Sequence, residues 1–303
     1  MEPIRKIAIL IHENERAGLK REFIAAALSE QWQAMGIEVE VARGIDRAVE
    51  ADLWLPHVDL TVIPPDYRRF LAECPRVVNR EVVDISKRRI SDLIVEPGDG
   101  YRGPVIVKSN ENFGGRPERR LLGEHRAGRT RPWRRRLARL RGRLGLGSGF
   151  DPWARIDPRH YPIFDSPDAL PKGTFENPEL VVERFVPERQ GELYVLRSYA
   201  FAGDETINVR IAAKGPVVKA PDSVEREEVP VPEALRTVRA RLAIDYGKLD
   251  YVIHDGQVRL LDVNRTPTFA RHEQYSEYQR RTAERFARGL IELFEEPPSS
   301  ERH

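Results

Sequence analysis

Two apolar, β-branched runs, Leu249 to Ile253 and Val258 to Val263, are separated only by His254-Asp255-Gly256-Gln257. Asp-Gly between such runs is the strongest short-range signal for a β-hairpin, and a hairpin dictates which residues become neighbours. If the runs pair antiparallel about Asp255-Gly256, position 250 lies near 261 or 262, and Asp250 and Asp262 stand side by side. Two carboxylates at that separation repel each other, and a divalent cation is the usual remedy. Asn264 lies two residues beyond Asp262 and therefore on the same strand face. Two carboxylates and an amide are hard oxygen ligands suited to Mg²⁺. The plainer alternative is an exposed acidic hairpin, ended by Asn and Pro because both suit turns.

Upstream, Pro104 to Lys108 reads as a strand ending in lysine, followed by the polar loop Ser109-Asn110-Glu111-Asn112-Phe113 and then Gly114-Gly115. A strand-end lysine beside a flexible glycine loop can hold nucleotide phosphates through charge and backbone N–H groups. The G-x-x-x-x-G-K-[ST] spacing is absent, so this is not a Walker A loop. Leu180 to Glu188 reads as a buried strand broken by Pro187, with Glu183 either functional or merely the outward position of an alternating strand.

The order of these elements, with Lys248-Leu249-Asp250, the hairpin and Asp262-Val263-Asn264-Arg265-Thr266-Pro267 at its end, resembles the ATP-grasp superfamily. That superfamily includes D-alanine:D-alanine ligase, glutathione synthetase and ribosomal-protein glutamate ligases. The resemblance is one of ordered motifs over about residues 80 to 290. It implies Asp250, Asp262 and Asn264 as ligands of one or two Mg²⁺ ions, with Mn²⁺ an alternative, and Lys87 and Lys108 on the phosphates of ATP, with Gly114 and Gly115 closing over them. Glu183, Phe185 and Val186 would read the adenine, and Glu188 or Glu192 the ribose. The implied reaction is ATP-dependent ligation of a small-molecule or peptide carboxylate to an amine, or to a thiol, through an acylphosphate. Phosphoryl transfer of this kind depends on positioning and charge neutralisation. Lys248, two residues from Asp250 on one strand face, is assigned to the transferring group. Arg197, Arg210 and Arg265 are candidates for a substrate carboxylate or phosphate, which guanidinium grips bidentately. A phosphotransferase on the same scaffold, or a nucleotide-binding protein without turnover, would keep many of the same residues.

The implied fold class is α/β (α+β), an ATP-grasp fold in which an open parallel α/β unit over 1–80 precedes a central subdomain over 81–182 and a metal-bearing subdomain over 183–295. Independently, Lys6 to Ile11, the amphipathic Leu19 to Met35 and Ile37 to Ala42 read as strand, helix and strand, a right-handed parallel crossover. Asp59 to Pro65 and Arg76 to Asn79 are expected to add strands to that sheet. No G-x-G-x-x-G follows the first strand, which argues against a dinucleotide site; instead His12 and Glu13 occupy the turn where open sheets bind ligands. With 303 residues and 40 % hydrophobic content the chain can bury a sizeable core, and no apolar run is long enough to span a bilayer. One cysteine, Cys74, excludes an intrachain disulfide and a cysteine zinc cluster, so a cytoplasmic location is expected.

The insertion over 116–148 stands apart. Residues 116–143 hold twelve arginines against Glu118 and Glu124, a formal +10; with +2 for the whole chain, the remaining residues carry −8. The expectation is a helix or lid whose arginines face water while Trp133, Leu137, Leu140 and Leu144 pack back on the body. Contact with nucleic acid or an anionic surface is the other reading.

Overall fold

Three sheets carry the chain in the computed structural model, which describes residues 2–46, 49–123, 149–269 and 275–295 together with Trp133, Arg136, Leu137 and Leu140. The first is parallel, with β1 (Lys6–Ile11) between β2 (Glu38–Arg43) and β3 (Leu53–Pro56). Helix α1 (Ile24–Ala34) makes the crossover from β1 to β2. It begins later than its amphipathic pattern suggests because Phe23 is drawn into a β-bridge with Thr268.

The third strand of this sheet is the short run Leu53-Trp54-Leu55-Pro56, not the two segments expected to extend it. Val62 and Val77 make only isolated bridges, to Asp84 and Trp54. Pro64 and Pro65 explain part of this, since they stop the first run and start α2 (Pro65–Glu73).

After the short α3 (Lys87–Ile90), β4 (Val105–Ser109) lies between β5 (Ile163–Phe164) and β6 (Leu180–Arg184) in an antiparallel sheet, with α4 (Arg116–Leu122) following the glycine loop. β6 spans the boundary expected at 182/183, so Glu183 belongs to this small sheet.

The largest sheet is antiparallel in the order β10 (Glu225–Glu228), β9 (Glu205–Ala213), β8 (Leu193–Ala202), β11 (Tyr246–His254), β12 (Gln257–Asn264), and β7 (Glu188–Gln190) also pairs with β8. Helix α5 (Glu233–Leu242) precedes the hairpin and α6 (Glu277–Glu295) closes the described chain.

One core joins the first and third sheets. Ile7, Ile9 and Ile11 of β1, Leu28 and Trp32 of α1, Phe286 and Leu290 of α6, and Ile207, Val209 and Ile211 of β9 pack together. The indole N–H of Trp32 donates to the Ala287 carbonyl at 3.0 Å, pinning α1 to α6. Burying side chains of this size stabilises by about 1.5–3 kcal/mol each. Gly203, in the β8–β9 turn, and Gly289 of α6 approach so closely that a Cβ on Gly289 would stand 2.5 Å from the Ala202 carbonyl oxygen. On the opposite sheet face, Tyr199, Phe201, Leu249, Tyr251, Leu260 and Val263 pack under Leu235 of α5 and Val82, Ile85 and Ile90. The core is therefore shared across the sheet, and its two faces have different work.

Candidate active site

The β11–β12 hairpin closes through Asp255 and Gly256, both at positive φ, 50° and 72°, as a two-residue type I′ turn requires. From that turn the register runs His254↔Gln257 to Tyr251↔Leu260, then shifts, so that Asp250 is opposite Asp262 and Lys248 opposite Asn264. Leu261 is the extra residue. Without that bulge 250 would face 261, and Asp262 would point to the packed side of the sheet. The bulge thus decides between the two registers left open by the sequence and puts Lys248, Asp250, Asp262 and Asn264 on one face.

On that face each carboxylate meets an ammonium. Lys248 Nζ is 3.1 Å from Asp250 Oδ2, and Asp250 Oδ1 accepts from Ser198 Oγ at 2.8 Å. Lys87, buried at the start of α3, reaches Asp262 Oδ1 at 3.2 Å and Asn112 Oδ1 at 3.3 Å. Asn112 in turn donates to the Val263 carbonyl at 2.8 Å, tying the glycine loop to β12. Burial would lower the Lys248 pKa, but the charge and hydrogen bond of Asp250, then the charge of Asp262, raise it overall.

A second buried pair faces these residues from the small sheet. Lys108 Nζ stands 2.6 Å from Glu183 Oε2, with side-chain exposures of 9 % and 0 %. Neither Glu183 oxygen has a partner in hydrogen-bond geometry, so this ion contact leaves the carboxylate short of donors. Two further residues complete the surround without having stood out in the sequence. Lys219, from the loop after β9, lies over the Tyr161 ring at 5.8 Å. Its pKa is lowered by burial, against the pull of Asp250 and Asp262 and with the push of Lys248 and Lys108. Burial, then the charges of Asp262 and Glu183, raise the Tyr161 pKa. Neither residue lies in a motif; each is brought in by a loop, and no spacing rule could have found it.

The loop between Lys108 and α4 is wound through the left-handed region at Phe113, Gly114 and Gly115, with φ of 48°, 67° and 65°. Two glycines make this inexpensive and Phe113 does not. A Cβ at Gly115 would collide with the Glu111 carboxylate, and burial pushes the Glu111 pKa up to about 7.

Three arginines assigned to substrate are not part of this face. Arg197 and Arg210 are register partners on β8 and β9, and Arg197 is also opposite Tyr251. By strand alternation they point to the side away from Asp250. Arg197 is held by Glu188 through three hydrogen bonds of 2.8–3.0 Å, and Arg210 by Glu225 and Glu227. Arg265 is buried and donates to the carbonyls of Val82, Val83, Leu60 and Thr61, bracing two loops. Burial lowers its pKa to about 10.

Glu188 also accepts from the Ile253 N–H at 2.7 Å, and Glu192, the other ribose candidate, is exposed at the β7–β8 turn. The Phe185 N–H is committed to the Pro104 carbonyl at 2.9 Å, and Val186 follows it, half-buried, after β6.

At the end of β12, Asn264 Oδ1 accepts from the Thr266 N–H at 2.8 Å, and Thr266 Oγ1 donates to Asp59 Oδ1 at 2.9 Å. Asp59 is gripped by Arg120 at 2.8 Å, and Arg120 also reaches Glu15 at 2.9 Å. This chain of contacts leads to a cavity of about 580 Å³ beyond β1, lined by Asn14, Glu15, Lys20 and Arg120 among others. His12 lies beside it, buried and stacked on Tyr67 at 5.5 Å, with Nδ1 accepting from the Asn14 N–H. Tyr67 is hydrogen-bonded to the Glu13 carboxylate. The turn residues His12 and Glu13 are thus tied into the protein.

Among the described residues no three His, Cys, Asp or Glu side chains come close enough to hold a metal ion. The donor set on the hairpin is instead two carboxylates and the Asn264 amide oxygen. Each carboxylate offers about four acceptor directions, more than its lysine and hydroxyl partners use. The set therefore suits a hard, oxygen-seeking cation such as Mg²⁺.

No protein-family model matches the chain, and neither does any curated protein. Solved structures are similar to it at low identity. A RimK domain protein ATP-grasp from Sphaerobacter thermophilus is 14 % identical, with 94 % of this chain and 99 % of that chain covered and a TM-score of 0.48. A RiPP-associated ATP-grasp ligase from Chryseobacterium gregarium, in complex with ADP and a leader and core peptide, is 9 % identical over 95 % and 96 % of the two chains, with a TM-score of 0.46. The D-alanine–D-alanine ligase from Bacillus anthracis complexed with ATP is 14 % identical over 96 % and 97 %, with a TM-score of 0.44. Likeness at this level fixes neither reaction nor substrate.

Proposed function

We propose that the chain is an ATP- and Mg²⁺-dependent ligase of the ATP-grasp type, joining a carboxylate to an amine through an acylphosphate. The observation that carries this reading is the Asp250–Asp262 pair on one face of the bulged hairpin, with Lys87 and Lys248 in contact and the charges of Lys108 and Lys219 nearby. Lysines surrounding paired carboxylates suit a polyphosphate that arrives with its own cation. Bound there, Mg²⁺ would neutralise charge on the phosphates, with Asp250, Asp262 and Asn264 as its protein ligands.

The protein residues supply position and charge. Lys87 and Lys108 hold phosphate oxygens, and Lys248 faces the transferring group. Glu183, short of hydrogen-bond donors, accepts from the exocyclic amine of adenine, with Phe185 and Val186 beside the base and Glu188 or Glu192 toward the ribose. Gly114 and Gly115 let the loop close on the phosphates. A substrate carboxylate oxygen attacks the γ-phosphorus, the bond to ADP breaks, and the acylphosphate forms. The amine then attacks the acyl carbon, loses a proton and releases phosphate. The charged cavity beside Glu15, Lys20 and Arg120 is the reserve of unassigned polar groups for the acid and amine, which are a small molecule or a peptide.

Hydroxylamine tests this chemistry because it intercepts acylphosphates as hydroxamates. With a panel of carboxylic acids, ADP release and hydroxamate formation should appear together for the cognate acid. ADP release with transfer of phosphate to a hydroxyl or guanidine, and no hydroxamate, would establish a phosphotransferase instead.

A further inference from the structure

Of the insertion residues expected to pack back on the body, Trp133, Leu137 and Leu140 are exposed instead. Leu144 and every arginine of 124–148 except Arg136 lie outside the described residues. Another exposed apolar side chain, Val41, lies on the open edge of the first sheet. Among the described residues no strand pairs with the side of β2 that faces away from β1. The Glu38 N–H donates to the Arg5 carbonyl at 2.9 Å, and the Gly44 N–H to the Ile11 carbonyl at 3.0 Å. Parallel bonding uses every second residue of a strand, so Glu38, Glu40 and Ala42 turn their N–H and C=O groups to β1. Val39, Val41 and Arg43 turn theirs outward.

Sheet edges that stay single are defended by charge, proline or a bulge. β2 is instead a regular strand of 6 residues, and near its centre stands Val41, 42 % exposed. Its two glutamates are neutralised from within the chain: Lys6 Nζ stands 2.8 Å from Glu38 Oε1 and 2.9 Å from Glu40 Oε2. By strand alternation they project from the sheet face opposite to that of Val39 and Val41, and Val39 packs in the core with α1.

We infer that β2 is a dimerisation edge: it pairs antiparallel with β2 of a second copy, and the two parallel sheets continue through a twofold axis at Val41. Outward-turned residues must meet outward-turned residues, which limits a symmetric, central pairing to an axis at Glu40, Val41 or Ala42. An axis at Glu40 sets that carboxylate against its own copy, and an axis at Ala42 sets Glu38 against Asp46. With the axis at Val41, Val39 meets Arg43 of the second copy and Val41 meets its own copy, each such pair exchanging two hydrogen bonds. Glu40 then faces Ala42 and Glu38 faces Gly44, so no like charges stand directly opposite. Every outward-turned residue of the strand is used, the exposed valines cover each other, and the match needs no partner but the chain itself. The inference is independent of the nucleotide site, and neither fails with the other.

The test is sedimentation velocity of the full chain over about 1–100 μM, the range in which a small interface dissociates. A dimer should form, and Val41→Pro should raise its dissociation constant at least about tenfold, because proline removes an outward N–H that the fold itself does not use. Val41→Glu, which sets two carboxylates opposite each other at the axis, should do the same. Both variants should keep the circular dichroism of the unaltered chain. The register is read separately in a Cys74→Ser background. There Val41→Cys should close a disulfide between copies under mild oxidation, since a hydrogen-bonded antiparallel pair holds its Cα atoms about 5.5 Å apart, inside the roughly 4.4–6.8 Å that a disulfide spans. Arg43→Cys, which faces Val39 of the second copy, should not. The proposal is overturned by a monomer throughout the range, by a dimer that both Val41 variants leave intact, or by capture at Arg43→Cys without capture at Val41→Cys.

Discussion

Removing either partner of the Lys108–Glu183 pair should destabilise the protein far more than removing both. Glu183 is fully buried and Lys108 nearly so, and their charged atoms are 2.6 Å apart. Neither Glu183 oxygen has a partner in hydrogen-bond geometry, so Lys108→Met, which removes the ion contact, leaves a buried carboxylate with nothing to offset its desolvation. Breaking a buried ion pair from one side costs about 3–5 kcal/mol, whereas replacing both members by apolar residues of similar volume is often close to neutral. At about 2–4 °C per kcal/mol for a chain of this size class, Lys108→Met should lower the thermal midpoint by about 6–20 °C. The double variant Lys108→Met, Glu183→Leu should recover most of that loss. Chemical denaturation of the four proteins in the cycle gives the coupling directly, expected at about 3 kcal/mol in favour of the pair by the same reasoning. Additive single effects, or a near-neutral Lys108→Met, would refute the buried pair. Nucleotide affinity should fall in both Lys108 variants regardless, because the phosphate contact is gone from each.

His57 is buried with both ring nitrogens unpartnered and Phe23 edge-on at 4.4 Å, and burial lowers its pKa to about 3. The unfolded chain therefore takes up a proton below about 6.5 that the folded protein refuses, so stability is full above that pH and declines as pH falls toward 3. From pH 7 to pH 5 this should remove about 2 kcal/mol in urea denaturation, a decline that His57→Leu should lack. Gly289→Ala should cost about 1–3 kcal/mol through its clash with the Ala202 carbonyl, read as a lowered thermal midpoint with ATP affinity retained. Arg197→Met should weaken the protein by leaving Glu188 partly unpaired but leave Mg²⁺-ATP affinity within about twofold, a change of less than 0.5 kcal/mol; a tenfold loss by calorimetry would return Arg197 to the site.

The hairpin was legible because its information is local. Asp-Gly specifies the turn, and the turn brings Asp250 near Asp262. Which of two registers follows was not legible, since the Leu261 bulge depends on packing against both sheet faces. Arg197 and Arg210 show the same gap: their type suited a substrate, but the face they occupy depends on the register of three strands. Arg265 sits beside Asn264 in sequence yet points into a nest of carbonyls made by loops some 180–200 residues away in the chain. The short strand Leu53–Pro56 has no comparable signature, because four residues ending in proline carry little periodic signal. Lys219 and Tyr161 enter from loops, where side-chain placement follows tertiary structure alone.

The central claim is that the hairpin carboxylates and the lysines around them bind Mg²⁺-ATP. It is tested most directly by the thermal midpoint of the unaltered protein and of Asp262→Asn, each with Mg²⁺-ATP and with ATP plus a chelator. A ligand at a hundred times its Kd adds about 2.7 kcal/mol to the folded state. That stabilisation should appear only for the unaltered protein with Mg²⁺ present. No shift in the unaltered protein, or an equal shift in Asp262→Asn, would contradict the account.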